Sequence, residues 1–293
     1  MTGILIKRNI KMFFKEKGLF FTSLITPLIL LVLYITFLGD VYRDSFELTF
    51  QGMEIPNKLL DAAVGGQLLS SLLAVCCVTV AFCSNMLMVQ DKVTGAQKDF
   101  MVTPIKGNKL AFGYYVATLV STLIICLFAT GAGLLYIGKV GWYLSGTDVA
   151  CLILDVFLLV MFGVALSSII NFCLATQGQI SAVGSLVSST YGFLCGAYMP
   201  ISQFNGGLQK VISFLPGSYA TSLLRNHALR GVFEGLESEG YPNEMIQALK
   251  DTVDCNLYFF GEKVEVMTMY GVLSTSVIVL VGIYVILNVM KKK

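Results

Sequence analysis

Residues 180–200, ISAVGSLVSSTYGFLCGAYMP, carry an apolar run into Pro200, and fifteen residues later residues 216–225 read PGSYATSLLR. The run over 180–199 has the length of a membrane-crossing helix, which needs about 20 mostly apolar residues. Residues 208–215 are apolar but far too short to cross. Pro216 then stops them, because proline lacks the amide that a continuing helix requires. This order of pieces predicts that the chain re-enters the bilayer after Pro200. Irregular backbone at that depth persists only where protein or a water-filled cavity supports it, so the hairpin is expected to pack inside a helix bundle.

The rest of the chain calls for the same solvent. Of 293 residues, 56% are hydrophobic and 13% charged, with a mean hydropathy of +0.77, which leaves too few polar side chains to cover a water-soluble fold. Six segments satisfy the length rule: residues 19–38, 62–89, 110–137, 149–172, 180–199 and 270–290. None shows the alternation of a membrane barrel strand. The expectation is an all-α membrane protein with six transmembrane helices.

Basic residues orient them. Lys7, Arg8, Lys11, Lys15 and Lys17 precede the first span, Lys92, Lys98, Lys106 and Lys109 follow the second, and the chain ends in Lys291, Lys292 and Lys293. The loops after spans 1 and 3 hold only Arg43, Lys58 and Lys139. The positive-inside rule then places both termini in the cytoplasm. The net charge of +2 averages a basic inner side with an acidic outer one. The first apolar run is too long for a signal peptide and lacks a small-x-small cleavage site. Residues 1–18 read instead as an amphipathic helix on the inner surface, with Lys7, Lys11 and Lys15 every four residues and Ile6, Ile10, Phe13 and Phe14 on the other side.

Catalytic constellations are not legible. Seven of eight cysteines lie in or at the end of apolar spans, Cys255 is expected to be external, and the single histidine, His227, stands isolated. No metal site is expected. Residues 133–139 match the first part of a phosphate loop, G-x-x-x-x-G-K, but Val140 occupies the position where a hydroxyl must reach magnesium. Nucleotide binding is not expected there.

Gly196, Pro200, Pro216, Ser218, Tyr219 and Arg225 fall on a pattern, small-Gly-x-x-x-Pro then Pro-x-[ST]-Tyr-x-x-x-x-x-Arg, that follows the fifth membrane helix of ABC-2-type permeases. The chain resembles that family, the membrane subunits of bacterial ATP-driven exporters, over nearly its whole length. Residues 90–109 resemble its coupling loop, acidic-Arg-x-x-Gly-Thr-x-Glu-x-Leu-x-Val-Thr-Pro. Asp91 and Lys92 keep the charges, and Gly95, Phe100, Met101, Val102, Thr103 and Pro104 keep the turn and apolar positions. Ala96 and Lys98 depart, replacing Thr and Glu. The resemblance implies an elbow helix over 1–18, a coupling helix between spans 2 and 3, and re-entrant helices between spans 5 and 6, in one transmembrane domain over 1–293. It implies two copies of a cytoplasmic ABC ATPase as partners, docked on Phe100 and Met101, with Lys98 meeting an acidic site. A second copy of this chain would complete the pathway. ATP and Mg would sit on the ATPase, and this chain would bind no cofactor. Its neighbours in the bacterial inner membrane would be lipids, with no nucleic-acid partner.

Three further features bear on mechanism. Gly184, Ser188, Gly192 and Gly196 form a small-residue ridge that suits a dimer contact, a pathway wall or packing within the chain. Residues 200–268 hold the re-entrant hairpin and an acidic external segment, with a short helix over 242–254. Asp155 lies about 10 Å into span 4 at 1.5 Å per residue. Such a carboxylate pairs with a neighbouring hydroxyl, reaches the headgroups, or meets a cationic substrate. The substrate class stays open between amphiphilic drugs, lipids or peptides and a lipid-linked polysaccharide. An ion-coupled secondary transporter is the alternative without an ATPase, and a membrane-embedded enzyme would need a polar constellation that the scattered external acids do not form.

Overall fold

The computed structural model describes residues 2–50, 55–102 and 107–290, and of Ile35, Lys98, Met101 and Val102 the backbone alone. In chain order the helices are α1 (Thr2–Lys15), α2 (Lys17–Leu33), α3 (Gly39–Thr49), α4 (Asn57–Val93), α5 (Ala96–Val102), α6 (Gly107–Val140), α7 (Gly146–Cys173), α8 (Gln177–Leu194), α9 (Gly206–Ile212), α10 (Pro216–Ser238), α11 (Asn243–Thr252) and α12 (Val266–Met290). A two-stranded antiparallel hairpin, β1 (Tyr258–Phe259) and β2 (Glu262–Lys263), precedes α12.

Among the described residues five helices are long and apolar enough to cross a membrane: Lys17–Thr49, Asn57–Val93, Gly107–Val140, Gly146–Cys173 and Val266–Met290. The first is longer than the 19–38 segment expected. A π-turn over Tyr34–Leu38 joins α2 to α3 without a break, and Arg43 of α3 pairs with Asp61 of α4. The expected fifth span is α8, which has 18 residues, carries five serines and threonines, and ends at Leu194 rather than Met199. It is not among the five. At 1.5 Å per residue its length is about 27 Å.

Helix α4 is the central post. It is apolar on every face and buried along nearly its whole length, as a helix surrounded by others must be. Its small residues let neighbours approach: a Cβ on Gly66 would stand 2.9 Å from the Ala228 carbonyl of α10, and one on Gly163 of α7 would stand 3.1 Å from the Cys77 carbonyl. Helix α1 is amphipathic as expected, but its buried line is Leu5, Asn9 and Phe13, with Ile6, Ile10 and Phe14 half-covered. The buried Asn9 accepts a hydrogen bond from Arg8 through its Oδ1.

Both termini lie at one end of the bundle. Leu5 of α1 packs on Gly113 of α6, and the Tyr284 hydroxyl near the end of α12 donates to the Ala111 carbonyl at 3.3 Å. At the opposite, distal end, Gly231 and Gly235 of α10 pack on Tyr143 in the α6–α7 connection. Pro216 does more than stop the preceding segment. It is the first residue of the 23-residue α10, a position where its missing amide costs nothing. Leu215 and Pro216 share a groove with Phe162 and Leu166, which lie about 25–30 Å along α7 from its first residue at 1.5 Å per residue. Helix α10 therefore starts deep in the bundle and runs outward to the distal end. The short helix expected over 242–254 is α11, with Ile246 and Leu249 buried.

Candidate functional site

The expected coupling loop is tied to its own chain by a charged knot. Asp91, buried near the end of α4, holds Arg8 of α1 through two hydrogen bonds of 2.5 and 3.1 Å and accepts the Tyr114 hydroxyl of α6 at 2.5 Å. The Arg8 guanidinium also lies over the Phe100 ring of α5, 5.1 Å from its centre. Three elements thus meet on one carboxylate, and α5 joins them through Arg8. Phe100, expected to face a partner, is half-buried beside the small apolar cluster of Leu5, Met88, Leu110 and Tyr114. Its ring serves the internal contact because the cation of α1 lies over it.

Lys92 is also engaged within the chain. Its ammonium donates to the carbonyls of Asn171, Phe172 and Leu174 at 3.0, 2.9 and 3.2 Å. It therefore caps the C-terminal end of α7, where carbonyls lack helical partners and the helix dipole favours a cation. Gly95 turns the chain from α4 into α5 with φ +84°, a left-handed geometry that glycine adopts without strain. The side chains of Lys98 and Met101, and all of Thr103 and Pro104, lie outside the described residues.

The motif residues on both sides of the hairpin converge on Arg225. This guanidinium has no exposed surface, although it lies among apolar helices. It donates to Asp254 at 3.0 Å, to the Gly196 carbonyl at 2.6 Å and to the Ser71 hydroxyl of α4 at 3.3 Å. Asp254 in turn accepts the Ile201 amide at 2.6 Å and the Ser202 amide at 3.4 Å, directly after Pro200. Gly196 turns at φ +76°, and a Cβ there would approach Ile201 to 2.8 Å. The Tyr219 hydroxyl donates to the Ser213 carbonyl at 2.6 Å, and the Ser218 hydroxyl to Ile212 and Leu215 at 3.1 and 2.6 Å, closing the end of α9. Burial pushes the Asp254 carboxyl above the usual carboxylate range, while Arg225 and the two amides pull it back. Sequence reading missed Asp254, one acid among many in its segment, because nothing local distinguishes it.

A third constellation corrects the reading of His227 as isolated. Its Nδ1 lies 2.6 Å from one oxygen of Asp155, and the Tyr270 hydroxyl donates to the other at 2.6 Å. The buried carboxylate thereby joins α7, α10 and α12. Tyr270 is a neighbouring hydroxyl of the kind anticipated for Asp155; the imidazole comes from 72 residues away and carries no local signal.

The small-residue ridge of α8 serves the chain itself at two points. Gly184 faces Met86 of α4, and Gly192 lies under Tyr198, whose hydroxyl donates to the Ser188 carbonyl at 3.0 Å. The opposite face, with Ser181, Ser185, Leu186 and Phe193, is exposed. Cys255 lies outside the candidate spans and is buried. Residues 133–139 are helical within α6, so they form no loop around a phosphate. Among the described residues no group of three or more metal-ligating side chains forms.

This arrangement has the parts of a transport subunit, with several helices long and apolar enough to span, a short helix tied into others at one end, and a hairpin anchored to the bundle through Arg225 and Asp254. Contrary to expectation the hairpin is not packed inside the bundle, since Leu208, Val211 and Phe214 are exposed and Ile212 alone of α9 is buried. No curated protein and no solved structure matches the chain. The family model for the ABC-2 type transporter matches residues 2–228. The chain therefore belongs to the ABC-2 type transporter family and is a multi-pass membrane permease of an ABC transporter, a non-catalytic component of a system that includes an ABC ATPase.

Proposed function

We propose that this permease is the transmembrane domain, residues 1–293, of an ATP-driven exporter that moves an amphiphilic substrate out of the cytoplasm or inner leaflet of a bacterial inner membrane. In this reading the termini end is cytoplasmic, α8 is a sixth and shorter span, and the hairpin after Gly196 is re-entrant and gates the exit. Two copies of the chain form the pathway, with the exposed serine face of α8 available to the second copy. Two ATPase copies hold the ATP and Mg.

The observation that carries this reading is the Arg8–Asp91–Tyr114 knot with Phe100 beneath it. A push on α5 by a closing ATPase pair reaches α1, α4 and α6 at once through a partly buried ion pair, and the bundle then exchanges inward-open for outward-open packing. The test is copurification with the cognate ATPase followed by ATP hydrolysis in lipid. Arg8→Gln is expected to retain the complex but to lose most substrate stimulation of hydrolysis, whereas Phe100→Ala with Met101→Ala also weakens the complex. Full stimulation in Arg8→Gln would remove the knot from the coupling path, and no ATPase bound to the wild type would remove the motor.

A further inference from the structure

Two cavities meet at one short stretch of backbone, residues 213–219. On one side lies a cleft of about 540 Å³ whose walls include Lys210, Ser213, Tyr219, Asp251, Tyr258 and Phe260. On the other side an apolar groove of about 750 Å³ runs between α7 and α12, with Leu215 and Pro216 in its wall. Each volume falls within the roughly 300–1,000 Å³ of small-molecule sites. At the edge of the cleft, the rings of Phe214, Phe259 and Phe260 pack edge to face, with centres 4.9–5.9 Å apart.

The two cavities ask for different chemistry. The groove walls belong to two of the helices long enough to cross a membrane, and beside it Ile278 and Val279 are 71% and 53% exposed, so it opens to hydrocarbon. Gly271 leaves room in it, since a Cβ there would meet nothing within 4 Å. The cleft carries opposite charges on separate elements. Lys210 of α9 has no ion-pair partner among the described residues, and one oxygen of Asp251 is held by Asn256 at 2.6 Å and Tyr258 at 3.0 Å beside the Phe260 ring. An ammonium suits a phosphate, and a carboxylate among aromatic faces suits an amine. Asp254 does not add to this balance, because Arg225 neutralises it.

We propose that residues 213–219 divide a two-part site for a zwitterionic amphiphile of the phospholipid or lysophospholipid type. An alkyl chain lies in the α7–α12 groove, and the phosphate and amine of the headgroup meet Lys210 and Asp251 in the cleft. As a transport substrate this ligand rests on the exporter reading; as a bound ligand it does not.

The test uses the purified full chain without ATPase, in detergent with a phosphatidylcholine that bears a diazirine in its acyl chain, and maps the photolabelled peptides. Labelling is expected in 268–280. It falls about tenfold, a loss of about 1.4 kcal/mol, in Gly271→Leu, which fills the groove, and in Lys210→Glu. It persists in Gly282→Leu, an open position on the same helix outside the groove. Unlabelled phosphatidylcholine competes, and phosphatidylglycerol or an alkyl glucoside does not. Labelling spread evenly over exposed positions such as Phe128 and Ile286 would mean ordinary bilayer lipid and overturn the proposal, as would labelling that ignores the headgroup or Lys210→Glu. If the site labels as expected but the same lipid neither stimulates the ATPase complex nor is moved by it, the site stands as a lipid site and the amphiphile-exporter reading fails.

Discussion

Replacing Arg225 with Met removes the cation at the centre of the hairpin lock while keeping most of the side-chain volume. The structure sets the scale of the loss. Arg225 and Asp254 are both buried, and the guanidinium also holds the Gly196 carbonyl and the Ser71 hydroxyl. Arg225→Met leaves Asp254 as a buried carboxylate with two amide donors and no countercharge, a change that costs about 3–5 kcal/mol. For a chain of this size each kcal/mol lowers the midpoint of thermal unfolding by about 2 °C, so a drop on the order of 6–10 °C is expected. Asp254→Asn strands the buried guanidinium and costs a similar amount. The double variant leaves no unpaired charge, so it is expected to lie well above the sum of the two losses, with a coupling energy of at least about 2 kcal/mol. The assay is thermal unfolding in detergent with hydrogen exchange read over 197–215 and 254–263, where protection should fall first. A midpoint for Arg225→Met within about 2 °C of the wild type, or losses that add within about 0.5 kcal/mol in the double variant, would refute the lock.

Three further outcomes follow from the same geometry. Lys92→Met leaves three carbonyls at the end of α7 without their cation; a loss of about 1–2 kcal/mol is expected, read as faster hydrogen exchange over the last turn of α7, and unchanged protection there would contradict the capping role. Asp155→Asn keeps the shape but removes the charge that holds His227 and Tyr270; a cost of about 1–3 kcal/mol in stability is expected with transport retained, and loss of transport at full stability would instead assign Asp155 to the substrate path. Cys173 is exposed at the termini end, so a chain with Cys173 as its only cysteine should react with a membrane-impermeant maleimide in inside-out vesicles and not in intact cells; labelling in intact cells would reverse the proposed orientation.

The hairpin shows how far local signals reach. Gly196, Pro200, Pro216, Ser218 and Tyr219 were legible through resemblance to a family pattern, and the structure supplies local roles for them: a left-handed turn at Gly196, a proline that starts α10, hydroxyls that close the end of α9. Asp254 was not legible: it joins Arg225 to the Ile201 and Ser202 amides from 29 residues beyond Arg225. The coupling loop shows a different limit. Lys92 and Phe100, read by resemblance as coupling residues, also make contacts within their own chain, with the α7 carbonyls and with Arg8. A cation or a ring has the same appearance in sequence whichever partner it meets.

From the sequence alone came the solvent, the helical class, five of the spans and the family, because hydropathy sums over neighbouring residues and a bilayer admits only backbone whose polar groups are paired internally, as in helices and closed barrels, while the family showed in its motif residues. Tertiary structure alone decided that α8 is short, that α10 begins inside the bundle, and that Asp91, Arg225 and Asp155 each tie three or more elements together. Those ties form between residues 23 to 154 positions apart, and a charge finds its partner by where helices cross. Helix crossings depend on which small residues let two backbones meet, as Gly66 does with Ala228 and Gly163 with Cys77, and that is settled only when the whole bundle packs.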